Sequence, residues 1–321
     1  MRTPTGPLSR RDCLKLAGAA TLAAPLAGWA ADDLRARAKK NLKLAIFTGV
    51  YAGLPLEEAA KRIKADGFNV VVLEGIFADV RFDPLAPDWD AAKKITSCLD
   101  RNGINVVGLY GYYNVVAPNQ ETRRRGEQRL RFLIENWKRL GSNNISTETG
   151  SLNAQSEWND SPENATEAAY QQCRTSLEKS VRLAEKTGAV ISLEPYWKNV
   201  ISSAERTQRL FADIPSPALK LVMDPCNYFR KADLARMQPM LEDVFQRVGK
   251  QTVIAHAKDV KAAANADDTE LPYAGKGVLD YALYLRLLAQ LNREMYLAVE
   301  HLTLADVPAA RDYVLSQFEK I

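Results

Sequence analysis

The sequence predicts a single (β/α)8 barrel, and three observations carry the prediction. From residue 41 onward, short apolar runs alternate with longer amphipathic segments, the rhythm of parallel βαβ units. Eight such units fit into residues 41–321, close to the ~250 residues this barrel typically needs. The rival, an open doubly wound sheet, usually carries a glycine-rich phosphate turn after its first strand. Here that turn is Phe47-Thr-Gly-Val-Tyr51, with one glycine and no dinucleotide fingerprint.

The elements follow in order. The first strand is read at 42–47 and its helix at 56–66, the second strand at 68–73 and its helix at 88–102. The third strand is short, 106–109, followed by a long charged helix over 121–140. A fourth strand at 144–147 is the shortest signal, and its helix is read at 161–186, opened by Ser161-Pro162. The second half repeats the pattern, with strands at 190–194, 219–224, 252–256 and 295–300. Helical stretches lie at 203–213, 234–248 and 281–291, and 306–320 closes the chain. Helix stops fall at Asp66-Gly67, Asn102-Gly103, Leu140-Gly141 and Thr187-Gly188, where glycine supplies the left-handed backbone that ends a helix. No linker or low-complexity stretch follows residue 41, so residues 41–321 read as one domain.

The composition is that of an ordinary globular chain: 321 residues, 46% hydrophobic and 26% charged. Forty-three Lys and Arg stand against 39 Asp and Glu, a formal charge of +4. That excess is too small for a general nucleic-acid binder, so no nucleic-acid partner is expected. There are two histidines, His256 and His301. Any metal centre must therefore be mostly carboxylate.

Residues 1–30 read as an address rather than as part of the fold. Ser9-Arg-Arg-Asp-Cys-Leu-Lys15 precedes an Ala-rich apolar run over 16–27, too short to span a bilayer as a mature helix. Gly28-Trp29-Ala30 places small residues at a cleavage site, with the cut after Ala30. This stretch resembles a bacterial twin-arginine export signal, with Cys13 where that signal usually has Phe. The resemblance implies the twin-arginine export machinery as a partner, a periplasmic location and export of an already folded chain. No cysteine stands near the cut, so no stable membrane anchor is expected. The segment carries Arg2, Arg10, Arg11 and Lys15 against Asp12; without it the chain is nearly neutral. Cys98, Cys173 and Cys226 remain, odd in number and widely spaced. They outline neither a disulfide framework nor a zinc knuckle, and sequence does not choose a pair.

In this barrel, functional side chains stand at the C-terminal ends of the strands. The fifth strand ends Ser192-Leu-Glu194-Pro-Tyr and the sixth Leu221-Val-Met-Asp224-Pro-Cys-Asn227. The seventh ends Ile254-Ala-His256-Ala-Lys258-Asp259 and the eighth Ala298-Val-Glu300-His301. Four consecutive strands each finish on a metal-competent side chain, at intervals of 30, 32 and 44 residues. Neighbouring strands lie ~4.8 Å apart, so four inward side chains at one rim converge on one point. Three carboxylates and one imidazole suit one divalent ion in an oxygen-rich site: Mn²⁺ first, with Mg²⁺, Co²⁺ or Zn²⁺ as alternatives. A carbonyl and an adjacent hydroxyl held by such an ion yield an acidified α-proton and an enediolate. A carboxylate on each face can then move the proton, giving epimerisation, isomerisation or elimination.

These strand ends resemble the xylose-isomerase-like TIM barrels, the sugar isomerase/epimerase superfamily, over nearly all of 41–321. The resemblance implies Glu194, Asp224, His256 and Glu300 as the ligands of one divalent metal, with Glu194 and Glu300 as the catalytic acid/base pair. His256-Ala-Lys-Asp259, Gly275-Lys-Gly277 and Thr147-Glu-Thr-Gly150 are similar to family phrases. Ketose epimerases often have Asp-x-x-His after the sixth strand, where this chain has Asp224-Pro-Cys-Asn227. Asn227 can hydrogen-bond a substrate hydroxyl but cannot titrate.

Around that centre, Lys258 is a candidate for binding a substrate oxygen or for an outer salt bridge. Glu148, at the end of the fourth strand, is a further candidate for the substrate side. Trp197, Tyr196 and the aromatics of 110–113 stand in rim loops, for stacking on a sugar or for loop packing. Gly275-Lys-Gly277 is a candidate anion turn. Strand alternation points His301 away from the site. The implied activity is a metal-dependent isomerase or epimerase of a sugar or hydroxy-keto acid, possible as a homo-oligomer. The alternatives are a lyase on the same scaffold, dehydrating an inosose or cleaving a 3-keto-glycoside, and a non-catalytic periplasmic sugar binder. An abasic-site endonuclease of the related fold is disfavoured, because it needs several metal-binding histidines.

Overall fold

Period-two alternation decides which side of each strand faces inward. In the computed structural model, which describes residues 31–264 and 266–321, eight parallel strands close into a barrel. They are β1 (Leu42–Phe47), β2 (Val70–Leu73), β3 (Asn105–Tyr110), β4 (Asn144–Glu148), β5 (Val190–Glu194), β6 (Leu219–Met223), β7 (Thr252–Ala257) and β8 (Met295–Val299). Each pairs with the next, and β8 closes on β1 through Leu42↔Met295 to Ile46↔Val299. The barrel interior holds a small apolar cluster that includes Ala45, Phe47, Val222, Ile254 and Ala298. The alternate residues, such as Ile46, Leu221 and Leu297, belong to a much larger core between the strands and the helices. Two residues beyond the inward Val222, Ile254 and Ala298 stand Asp224, His256 and Glu300, so the alternation aims all three into the same mouth. On β4 and β5 the inward positions are Ser146 and Ser192, whose hydroxyls meet at 3.0 Å. Glu148 and Glu194 stand two residues further along and are register partners.

The helices alternate with the strands as the sequence predicts. The outer layer runs α1 (Ala31–Asn41), α2 (Leu56–Ala65), α3 (Trp89–Arg101), α4 (Gln120–Leu140), α5 (Glu167–Thr187), α6 (Ala204–Asp213), α7 (Met237–Val248), α8 (Tyr281–Gln290) and α9 (Val307–Gln317). Side-chain caps set several starts. Asp88 accepts from Asp90 N and Ala91 N, Ser203 from Arg206 N, and Asp280 from Leu283 N. The helix read from residue 161 instead begins at Glu167. A 3-10 turn, Pro162–Ala165, intervenes, and Thr166 caps the helix by accepting from Ala169 N.

Two elements lie outside the sequence reading. Helix α1 runs directly into β1, buries Leu34 and Ala38, and lies against α8. It is tied to the other terminus by Lys39 to Glu319 (2.6 Å) and by Arg35 donating to Ile321 O (3.3 Å). The compact unit therefore spans 31–321. The second element is a two-stranded ribbon, Lys261–Ala262 with Thr269–Glu270, in the β7–α8 connection. The export signal expected at residues 1–30 lies outside the described residues. Among those described, no helix is long and apolar enough to cross a membrane. Cys98, Cys173 and Cys226 are buried free thiols.

Candidate metal centre

The four strand-end residues converge. Glu194, Asp224, His256 and Glu300 each offer one ligand atom, and these atoms all lie within 4.8 Å of one another. Three carboxylates ring the His256 Nδ1: Glu300 Oε1 at 3.3 Å, Glu194 Oε1 at 3.4 Å and Asp224 Oδ2 at 3.5 Å. Neither His256 nitrogen has a hydrogen-bond partner, although the residue is only 1% exposed. Buried polar groups left unpaired are rare and need a reason. A shared cation is such a reason, since donors ~2.1 Å from one ion stand roughly 3 Å from each other. Three oxygens and one nitrogen at these spacings can hold a divalent ion.

Local structure aims each ligand. After β6, Pro225 opens a 3-10 turn that Asp224 caps, its Oδ1 accepting from Cys226 N at 3.0 Å. That leaves Oδ2 for the centre. The Tyr284 hydroxyl lies 3.1 Å from Met223 O and 3.0 Å from His256 O, fixing the ends of β6 and β7 together. Phe47 packs edge-on against the His256 ring, centroids 5.4 Å apart. Glu194 Oε1 accepts from Asn227 Nδ2 at 2.7 Å, and its Oε2 accepts from the Tyr112 hydroxyl.

Lys258, two residues beyond His256 on the same inward row, sits between two of the ligands. Its Nζ is 2.6 Å from Asp224 Oδ2 and 3.0 Å from Glu300 Oε1. The ammonium that pairs with these carboxylates also lines the cavity. Burial disfavours charge on Glu300, but His256 and Lys258 outweigh it and hold the carboxyl well below its usual range. Burial likewise opposes charge on His256, and Glu300 and Glu194 overcome it, so the imidazole is held well above its ordinary value. A bound divalent ion would displace the imidazole proton, and with His256 neutral the three carboxylates and one lysine leave two negative charges, the charge of one divalent cation.

A cavity of about 590 Å³ opens above these groups. It is lined by Glu194, Asn227, Lys258 and Glu300, with Phe47, Tyr110, Tyr112, Trp158 and Tyr196 as aromatic walls. Trp197, a candidate for this wall, is not brought to it. Its backbone N donates to Asn227 O at 2.9 Å, and the indole turns into a separate cavity beside Tyr228 and Arg230. Tyr196 takes the place expected for it. Glu148 is also kept from the cavity lining: it is 2% exposed, its Oε2 has no hydrogen-bond partner, and burial pushes its carboxyl well above the usual value. His301, expected to point away, lines the cavity. The chain leaves β8 after Val299, and a left-handed φ of 57° at His301 ends the alternation, with Nδ1 2.7 Å from Leu271 O. The Gly275-Lys-Gly277 turn is taken up by an internal side chain: Asp259 Oδ2 accepts from Gly275 N at 3.0 Å, and its Oδ1 accepts from Leu279 N, beyond the turn, at 2.9 Å.

Three site residues had gone unnoticed or unplaced: Tyr112, Glu74 and Trp158. Tyr112 was legible only as one aromatic among several. Glu74 follows β2 as Glu194 ends β5, so the strand-end rule applied to the first half finds it. It lines the cavity and accepts from Gly49 N at 3.0 Å. A Cβ at Gly49 would stand 2.3 Å from Glu74 Oε1, so any other residue there would push this carboxylate aside.

Known proteins bear on this geometry at the level of the family. A sequence profile described as xylose isomerase-like TIM barrel matches residues 57–314. The chain belongs to that family. Among curated proteins none matches significantly. Solved structures similar to this xylose isomerase-like barrel include a D-tagatose 3-epimerase-like protein (19% identity, TM-score 0.65, covering 87% of this chain and 97% of that one). A xylose isomerase-like TIM barrel protein from Mycobacterium smegmatis in complex with magnesium is similar at 14% identity and TM-score 0.63, covering 88% and 98%. A 3-keto-D-glucoside 4-epimerase from E. coli is similar at 18% identity and TM-score 0.58, covering 88% and 99%. At these identities the likeness is one of fold.

Proposed function

We propose that this protein is a divalent-metal-dependent isomerase or epimerase of a sugar or hydroxy-keto acid, with Glu194 and Glu300 as the acid/base pair. The observation that carries the reading is the unpaired His256 ring, buried inside three carboxylates whose excess charge a divalent ion would cancel. Mn²⁺ is the first choice for this donor set, with Mg²⁺, Co²⁺ and Zn²⁺ as alternatives; the similar M. smegmatis protein was solved with magnesium. When bound, the ion acidifies the proton beside the carbonyl it polarises. The protein supplies the rest. Lys258 holds Glu300 ionised and presents its ammonium to a substrate oxygen. Asn227 and Tyr112 orient the two oxygens of Glu194 from opposite sides. One of these carboxylates takes the α-proton and the other returns a proton, to the opposite face for epimerisation or to the neighbouring carbon for isomerisation. In this reading the twin-arginine-like segment carries the folded enzyme to the periplasm.

The test is α-proton exchange. Mn²⁺-loaded protein is incubated in D₂O with ketoses, inososes and 3-keto-glycosides and followed by proton NMR and mass spectrometry. The expected result is deuterium at one carbon with the skeleton intact. Loss of water or of an aglycone would replace this reading with a lyase on the same centre. A sugar that binds with no exchange would mark a binding protein instead.

A further inference from the structure

Of the four cluster residues Glu194 and Glu300 line the cavity, and its space is larger than a single sugar ring requires. At about 590 Å³ it falls in the range of pockets that enclose drug-sized molecules. It is also not closed. A second cavity of about 440 Å³ shares Tyr112 with it, and the two are separated along the β4–α5 loop at the step from Glu157 to Trp158. Trp158 lines the first cavity and is 50% exposed, the one aromatic among the exposed large apolar side chains of the described residues. An indole left half in water on a cavity rim needs a reason, since burying it elsewhere would stabilise the fold.

The loop holds this ring in a defined place. Trp158 N donates to Ser156 Oγ at 3.2 Å, Ser151 Oγ donates to Asn159 O at 2.7 Å, and Asn199 Nδ2 donates to Glu157 O at 2.9 Å. Behind it Tyr196 stands 6.4 Å away, centroid to centroid. The second cavity offers a different chemistry. Gln155, Glu157, Arg125 and Thr122 line it, a mixture of donors and acceptors of both charges.

A flat aromatic face followed by mixed hydrogen-bonding groups matches a second hydroxylated ring, its C–H face on the indole and its hydroxyls on the polar wall. We infer that the substrate is a glycoside: one sugar ring carries the carbonyl at the metal end, and a second ring joined to it stacks on Trp158 and reaches past Tyr112 into the second cavity. This rests on the proposed function for what happens at the first ring. Arg125 and Arg129 stand in the same wall as Glu157, so a sugar phosphate is the competing extended ligand, which the test separates.

The probes are a 3-keto-hexose, the 3-keto-disaccharide containing it, and the hexose phosphate. Wild-type holoenzyme should prefer the disaccharide to the free sugar by at least ~10-fold in kcat/KM. Trp158→Ala should lower that preference ratio about tenfold, chiefly through KM, while Trp158→Phe, which keeps an aromatic face, should restore part of it. Calorimetric binding of the same three sugars to both variants gives the same comparison without turnover. If no sugar is turned over yet the disaccharide binds more tightly in a Trp158-dependent way, the proposed reaction fails and the glycoside site stands. Equal affinity for mono- and disaccharide, a preference for the phosphate, or a ratio unchanged in Trp158→Ala would overturn it.

Discussion

The two halves of the barrel follow one strand-end rule and arrive at opposite chemistry. Strands β5–β8 deliver Glu194, Asp224, His256 and Glu300 to a single point. Strands β1–β4 end on or near Phe47, Glu74, Tyr110 and Glu148, which do not join that cluster. Both halves offer buried carboxyls, so position at a strand end is not what separates them. The surroundings are. Glu300 lies beside Lys258 and His256 and is held ionised against its burial. Burial pushes Glu148 towards its neutral form, and the nearby Glu157 and Glu194 charges add to this. Cationic partners in reach favour the charged form of Glu300, and like charges add to burial in favouring the neutral form of Glu148. In the proposed reaction the second half carries the reacting groups, and the first half shapes the cavity above them.

The sharpest way to break that division is at Glu300. Glu300→Gln keeps the side-chain shape and removes the charge and the proton-accepting oxygen. Turnover should fall roughly 10³-fold, with elemental analysis still finding about one divalent ion per chain because three ligands remain. Retained activity would remove Glu300 from the acid/base pair.

A smaller effect is expected where the first half reaches into the second. The Tyr112 phenol donates to Glu194 Oε2, and burial followed by the nearby Glu194 charge holds it well above its usual pKa, so it stays a donor. Tyr112→Phe keeps the wall and removes one hydrogen bond to a charged oxygen, ordinarily worth about 1.5–3 kcal/mol. kcat should drop about 10- to 100-fold. Because a donor to the ionised form is lost, the acid limb of the kcat/KM profile should move to higher pH. A lower kcat with an unmoved limb would assign Tyr112 to cavity shape alone.

Much of this division was legible in the sequence. The alternation of apolar runs and amphipathic helices placed seven strands, because parallel strands buried on both faces leave a strong apolar signal; the fourth, Asn144–Glu148, has Ile145 as its single apolar residue and gave the weakest one. The four converging residues were legible because each ended such a run. The rest depended on backbone that leaves the strand. Tyr112, Trp158 and Trp197 stand in loops, where periodicity gives no side-chain direction. His301 escaped because one left-handed residue cancels the alternation. The α5 start was displaced by six residues because Thr166 caps the helix with its side chain, whereas Ser161 makes no side-chain cap and opens a 3-10 turn. The role of Gly275-Lys-Gly277 depended on a contact with Asp259 that spacing alone does not show.

The smallest expected effect is at Glu148, and its sign makes it informative. Glu148 sits opposite Glu194 in register, looks from sequence like a fourth site carboxyl, and is held above the ordinary carboxyl pKa by burial, then by Glu157 and Glu194. An acid whose folded pKa is raised binds more protons in the native state than in the unfolded one. Its contribution to stability is therefore present below the unfolded pKa, about 4.3, and is lost as pH rises towards the folded value. Glu148→Gln removes the titration and keeps the shape. The variant should gain stability over the wild type as the pH is raised, with a Tm higher by a few degrees at pH 8 and little different at pH 5, while turnover changes less than ~3-fold. Thermal melts of both proteins across that range are the measurement. If Glu148→Gln instead lowers activity as Glu300→Gln does, the first half contributes to the chemistry and the division between the halves fails at its closest point.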